Sequence, residues 1–238
     1  AVHPLNARAP CATPRRSPAD NSVNRMHPPF RGWRQKGGIC YAPNMTTDVH
    51  FARCDDYGPA LGEAIDRVFG HAGWGERRSV AGRRVLLKPN LLTERRPDQA
   101  VTTHPEVVRH VIRRFRALGA EVSVGDSPAS TANLRNVWQT SGLAAVCAEE
   151  QVPLLSLEQA GVRSFELDGF AFSVAAPVLA ADLVVNLPKV KSHSLTMLTA
   201  AVKNMCGAVP GSAKATLPRH PPKPEVFGRL VRTLWKVL

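Results

Sequence analysis

The sequence predicts an α/β fold of three layers, a largely parallel sheet with helices on both faces. Short β-branched apolar runs alternate with longer segments whose apolar residues recur at helical spacing. One run, "ADLVVNLP", is almost continuously apolar, as strands covered on both faces tend to be. No internal repeat period interrupts this alternation.

Taken in order, residues 1–44 are rich in Pro, Arg, Asn and Gly and lack apolar periodicity, so they predict a disordered basic extension. A rival reading makes Met45 the natural start and the upstream part not native. Residues 45–238 then form the α/β domain. "DVHFARC" predicts a strand, and "YGPALGEAIDRVFGHAG" a helix with Leu61, Ala64, Ile65 and Val68 on one face. "RRVLLKPN" predicts a short buried strand ended by Pro89.

"TTHPEVVRHVIRRFRALGA" carries the clearest helical stripe, from Val107 to Leu118. Thr103 and Glu106 suggest a capping box, Pro105 sits in the first turn, and Gly119 marks the stop. "EVSVGDSP" follows as a strand, "TANLRNVWQTSG" and "LAAVCAEEQ" as helices, and "VPLLSLE" as a strand. "RSFELDGFAFSVAAP" predicts a hairpin turning at Asp168-Gly169. After "ADLVVNLP", the run "LTMLTAAVKNMCG" predicts a helix closed at Gly207. "PEVFGRLVRTLWKVL" opens a final helix without a cap, which suggests a domain incomplete at its C-terminus.

The totals exclude several functions. The chain has 238 residues and a net charge of +12, which raises a nucleic-acid partner. Residues 1–44 hold seven Lys or Arg and one acid, so half of that excess lies in the extension. Aromatic residues make up 6%, and no stretch interleaves them with basic residues, which argues against nucleic acid. No run of about 18 apolar residues predicts a membrane span, and the first residues lack the apolar core of a secretory signal. Five dispersed cysteines without a C-x-x-C pair give no metal-ligand motif and point to a reducing, cytoplasmic setting.

Chemistry is expected beyond the carboxyl ends of the strands, where loops and helix starts converge. Four polar turns fall there: "KPN" with Lys88 and Asn90, "GDSPAS" with Asp126, "TTHP", and "NLPKVKSH". Lysines on flexible stems suit phosphate or carboxylate. Lys88, Lys189, Lys203 and Lys214, with Asn90 and Asn204, are therefore candidate ligand-binding residues. Lys191, His193 and Asp126 are candidate catalytic residues, because a lysine among cations loses proton affinity and His193 can move protons. Each has a plainer reading: Asp126 as a turn cap, His193 as a surface residue, Lys203 as a snorkelling helix residue. The glycines of "GAVPGSAKAT" do not match a phosphate-loop spacing.

The segments "LLKPNLL", "VTTHPEVVRHVIRRFRALGAEVSVGDSP" and "NLPKVKSHSLTMLTAAVKNMCGAVPG", with Lys214 and His220 after them, resemble the domain-of-unknown-function family three-six-two, whose members are often labelled iron–sulfur centre proteins. The family pattern LPK-x-K-T-H stands here at 187–193 with Ser192 in the threonine position. Its KN-x-x-G stands at Lys203, Asn204 and Gly207. The resemblance runs from residue 46 onward and implies an α/β domain commonly joined to a ferredoxin-like iron–sulfur module. It implies no reaction, and the cysteine run that would hold a cluster is missing from this chain.

Two functional expectations follow. In one, the domain binds a small anionic substrate or cofactor at the strand edge, in a redox setting if a ferredoxin-like module is attached. In the other, it is a non-catalytic electron-transfer or binding scaffold whose lysines dock an acidic partner.

Overall fold

The computed structural model describes residues 34–36, 39–41, 49–76, 78–129, 132–193, 197–210 and 223–238. The chain divides into two units, 1–49 and 50–238. In the first, β1 (Arg34–Lys36) pairs antiparallel with β2 (Ile39–Tyr41). The rest of the expected basic extension lies outside the described residues.

The second unit is built on a four-stranded sheet of β3 (Arg84–Pro89), β4 (Glu121–Asp126), β5 (Leu154–Ser156) and β8 (Leu183–Leu187), in the order β5-β4-β3-β8. Every pairing in it is parallel. Parallel neighbours need crossovers, and the predicted helices supply them. Helix α1 (Ala60–Ala72) precedes β3, and α2 (Pro105–Ala117) joins β3 to β4. Helices α3 (Leu134–Thr140) and α4 (Leu143–Glu149) join β4 to β5. The chain builds outward from β3 to β5, then returns on the other side with β8. The switch in direction therefore lies between β3 and β8.

Alternation along β3 divides the core. Val85 and Leu87 face a cluster with Val108, Ile112 and Phe115 of α2 and with Val137, Leu143 and Cys147. Phe69 and Trp74 meet the Phe115 ring edge-on at 5.0 and 5.5 Å. Burying a ring such as Phe115 contributes about 1.5–3 kcal/mol. Leu86 faces the other way, into a second cluster. That cluster holds the hairpin β6 (Val162–Leu167) and β7 (Phe170–Ala175), helix α5 (Ala176–Ala180), the 3-10 turn Met205–Ala208, and α7 (Pro224–Leu234). Helices on both faces and a parallel sheet agree with the expected α/β architecture.

Four local expectations are corrected. Residues 49–54 form no regular structure, and Phe51 is 86% exposed; with no ladder partner, the apolar pattern does not make a strand. The N-cap of α2 is His104, whose Nδ1 accepts from the Glu106 amide at 3.3 Å, because the Thr103 hydroxyl is engaged elsewhere. Strand β8 is half-buried along its length, since it lies at the edge of the described sheet. The predicted helix after it starts late: β9 (Lys191–His193) and β10 (Met197–Thr199) pair antiparallel, and only Ala201–Asn204 (α6) and the following 3-10 turn are helical.

The predicted turn of the hairpin holds. Asp168 and Gly169 take φ of 52° and 76°, the left-handed pair that a two-residue hairpin turn requires.

Candidate functional site

Lys88 and Asp126 end neighbouring strands and meet as an ion pair, Nζ to Oδ1 at 2.6 Å, with side chains 0% and 2% exposed. Asp126 Oδ2 accepts from the Leu91 amide at 2.8 Å, so one carboxylate ties the exit of β3 to the end of β4. Either charge alone at this depth would be costly; together they are compensated. The backbone of Gly207 lies directly against the pair. A Cβ there would stand 2.6 Å from Lys88 Nζ and nearer still to Asp126 Oδ1, so only hydrogen fits.

At the switch between β3 and β8, three asparagines interlock. Asn90 donates to Asn204 Oδ1 at 2.9 Å, and Asn204 donates to Asn186 Oδ1 at 2.7 Å. Asn186 in turn donates to the Ala201 carbonyl at 2.7 Å. Thr103 Oγ1 accepts from the Asn90 amide at 2.8 Å and donates to the Leu187 carbonyl at 2.6 Å, bracing both strand exits. Lys191 Nζ donates to Asn90 Oδ1 at 2.7 Å and to the Val101 carbonyl at 2.6 Å. Burial, with the charge of Lys203 nearby, lowers the Lys191 ammonium from the ordinary lysine value.

Next to this mesh lies a cavity of about 330 Å³. Asp126, Asn90, Asn204, His193, Lys203 and Thr199 supply its polar lining, and Phe172, Phe227 and Leu230 are among its apolar wall. Burial lowers the Lys203 ammonium, and burial plus the charges of Lys203 and Lys191 lowers His193. The Thr199 hydroxyl is buried and has no hydrogen-bond partner among the described residues. A lining of this kind, mostly apolar with a few convergent polar groups, suits a small ligand.

Of the candidates read from the sequence, Asp126, His193, Asn90, Lys203 and Asn204 border the cavity. Lys88 is the buried partner of Asp126, and Lys191 spends its donors on Asn90 and Val101. Lys189 turns to Tyr57, donating to its hydroxyl at 3.1 Å, while the Tyr57 ring stacks on His104 at 3.7 Å. Lys214 lies outside the described residues. Sequence reasoning missed Thr199, Thr103 and Asn186 as site residues. It read Gly207 as a helix stop and as the glycine of the family's KN-x-x-G pattern. Its position three residues after Asn204 hinted at more, but the close approach is visible only in three dimensions.

The cluster raised by the family resemblance requires converging thiolates. Cys147 is buried in the core on the α2 face, whereas Cys206 sits between Met205 and Ala208 on the other. Among the described residues, no group of three or more His, Cys, Asp or Glu side chains could hold a metal ion. The described residues do not fit an iron–sulfur cluster.

A family model for a domain of unknown function, DUF362, matches residues 85–237. Over 135 residues the chain is 38% identical to the thylakoid-associated protein sll1697 of Synechocystis sp., an alignment covering 56% of this chain and 41% of that protein. The chain thus spans less than half the length of the curated relative it matches. No solved structure matches it. Among the described residues, no helix is long and apolar enough to cross a membrane.

Proposed function

The chain belongs to the DUF362 family, and within that domain we propose a binding site for a compact anionic ligand beside the carboxyl edge of the parallel sheet. The observation that carries the reading is the cavity that gathers Lys203, His193 and the Thr199 hydroxyl, unpartnered among the described residues, against an apolar wall. Asp126 is ion-paired with Lys88, and its charge also reaches Lys191, which leaves Lys203 as the lining cation without a carboxylate partner among the described residues. A carboxylate or phosphate entering the cavity meets the charge of Lys203 in a partly dry site, where such a charge acts strongly.

In this reading Lys203 and Thr199 take the anion, and Asn90 and Asn204 add hydrogen bonds. His193, kept neutral near neutral pH, moves a proton. Lys88 and Asp126 hold the two strand ends in place, and Lys191 contributes its charge from beyond Asn90. A redox setting is implied by the family resemblance alone.

Calorimetry with inorganic phosphate and with acetate through hexanoate tests the proposal. Binding that weakens with added salt, improves with chain length and is lost in Lys203→Met is expected, while the surface control Arg67→Ala keeps it. Equal binding by Lys203→Met would overturn the reading. Saturable, salt-sensitive association with an acidic protein, and none with these anions, would favour the scaffold instead.

A further inference from the structure

The lysines of this edge are not equivalent. Lys88 is ion-paired with Asp126, Lys191 donates to Asn90 and Val101, and Lys189 donates to Tyr57. Lys203 is half-buried, borders the cavity and ion-pairs with no carboxylate among the described residues; its neighbour is the Phe227 ring, 6.0 Å from Nζ. No carboxylate among the described residues holds its proton, and desolvation, the largest influence on it, favours the neutral amine, opposed by the nearby Cys206.

We propose that Lys203 is a nucleophile that captures the carbonyl of a small oxo acid as a Schiff base. This rests on the anion site proposed above and names its ligand class. The oxo acid joins the two features of the cavity, a carbonyl for the amine and a carboxylate for the positive field and the Thr199 hydroxyl. The apolar wall of Phe172, Phe227 and Leu230 limits the water that would hydrolyse the adduct.

The Lys203 lone pair attacks the carbonyl carbon, and the C=O π pair moves to oxygen. The proton lost from nitrogen ends on that oxygen, giving a carbinolamine. A further proton lets the hydroxyl leave as water while the nitrogen pair forms C=N. One amine, one carbonyl and one proton give one protonated imine and one water, with no oxidant or reductant. His193 borders the same cavity and, neutral near neutral pH, accepts the proton from nitrogen and passes it to that oxygen; the further proton that carries the hydroxyl off as water comes from solvent.

The test incubates the full chain separately with pyruvate and glyoxylate, measures binding by calorimetry, then adds sodium cyanoborohydride. Intact mass and peptide mapping read the product. A single adduct at Lys203, absent from Lys203→Arg, is expected. Wild-type binding without an adduct, or an adduct spread over surface lysines, overturns the Schiff base but leaves the anion site standing. Failure of the wild type to bind either acid overturns both. Should Lys203→Arg not fold, the wild-type peptide map decides alone.

Discussion

Lys88 and Asp126 show how much one buried pair can hold together. Removing one partner strands the other in a site closed to water. Lys88→Met is therefore expected to cost about 3–5 kcal/mol of stability, measured by urea denaturation. Adding Asp126→Leu to it should recover most of that loss, because the orphaned charge goes too. A double variant no better than the single would mean that the pair does not act as a unit. Gly207→Ala tests the same spot from above. With 2.6 Å between the new Cβ and Lys88 Nζ, the ion pair or the backbone must shift, at a cost of about 1–3 kcal/mol. A neutral effect would show that the turn has room to yield. The sequence displayed Lys88 and Asp126 as strand-end residues, yet gave no sign that they neutralise each other, since 38 positions separate them.

Elements with a strong local signal were readable. Helix α2 announces itself through Val108, Val111, Ile112 and Phe115 at helical spacing, and all four are buried. Its start misled, because T-x-x-E is a local pattern and the Thr103 hydroxyl is claimed by Asn90 and Leu187, residues far along the chain. Strand β10 misled for a related reason: "LTMLT" has no decisive period, and its pairing with β9 settles its conformation. The hairpin turn does two jobs, one visible and one not. Asp168 was readable as a turn residue, but its carboxylate also accepts from Thr233 Oγ1 at 2.8 Å and Lys236 Nζ at 2.6 Å, anchoring α7. Asp168→Ala is expected to speed amide hydrogen exchange in α7 more than in α2. Unchanged protection of α7 would remove that anchoring role.

The architecture as a whole followed from alternation, whereas strand order did not. Nothing local tells β8 to pair beside β3 instead of extending the sheet past β5, and the cavity and the asparagine mesh depend on that choice. Stability of the whole chain should also report the buried bases. Folding lowers the proton affinity of His104 and His193, chiefly through burial. At pH values between their folded pKa and the ordinary 6.5, the unfolded chain binds more protons. Stability from these residues is present above 6.5 and is lost as pH falls through the folded values. The melting temperature should therefore drop as pH is lowered from 7.5 into the acid range, and less steeply in a His104→Asn, His193→Asn double variant. A parallel pH profile for both proteins would assign the drop to other groups.

The fit of Gly207 over its two charged neighbours has a consequence for descent. A lineage cannot gain a side chain there without first shortening or uncharging what lies beneath. Across homologous chains, departures from glycine at this position should co-occur with changes at 88 or 126, three sites that would otherwise drift independently.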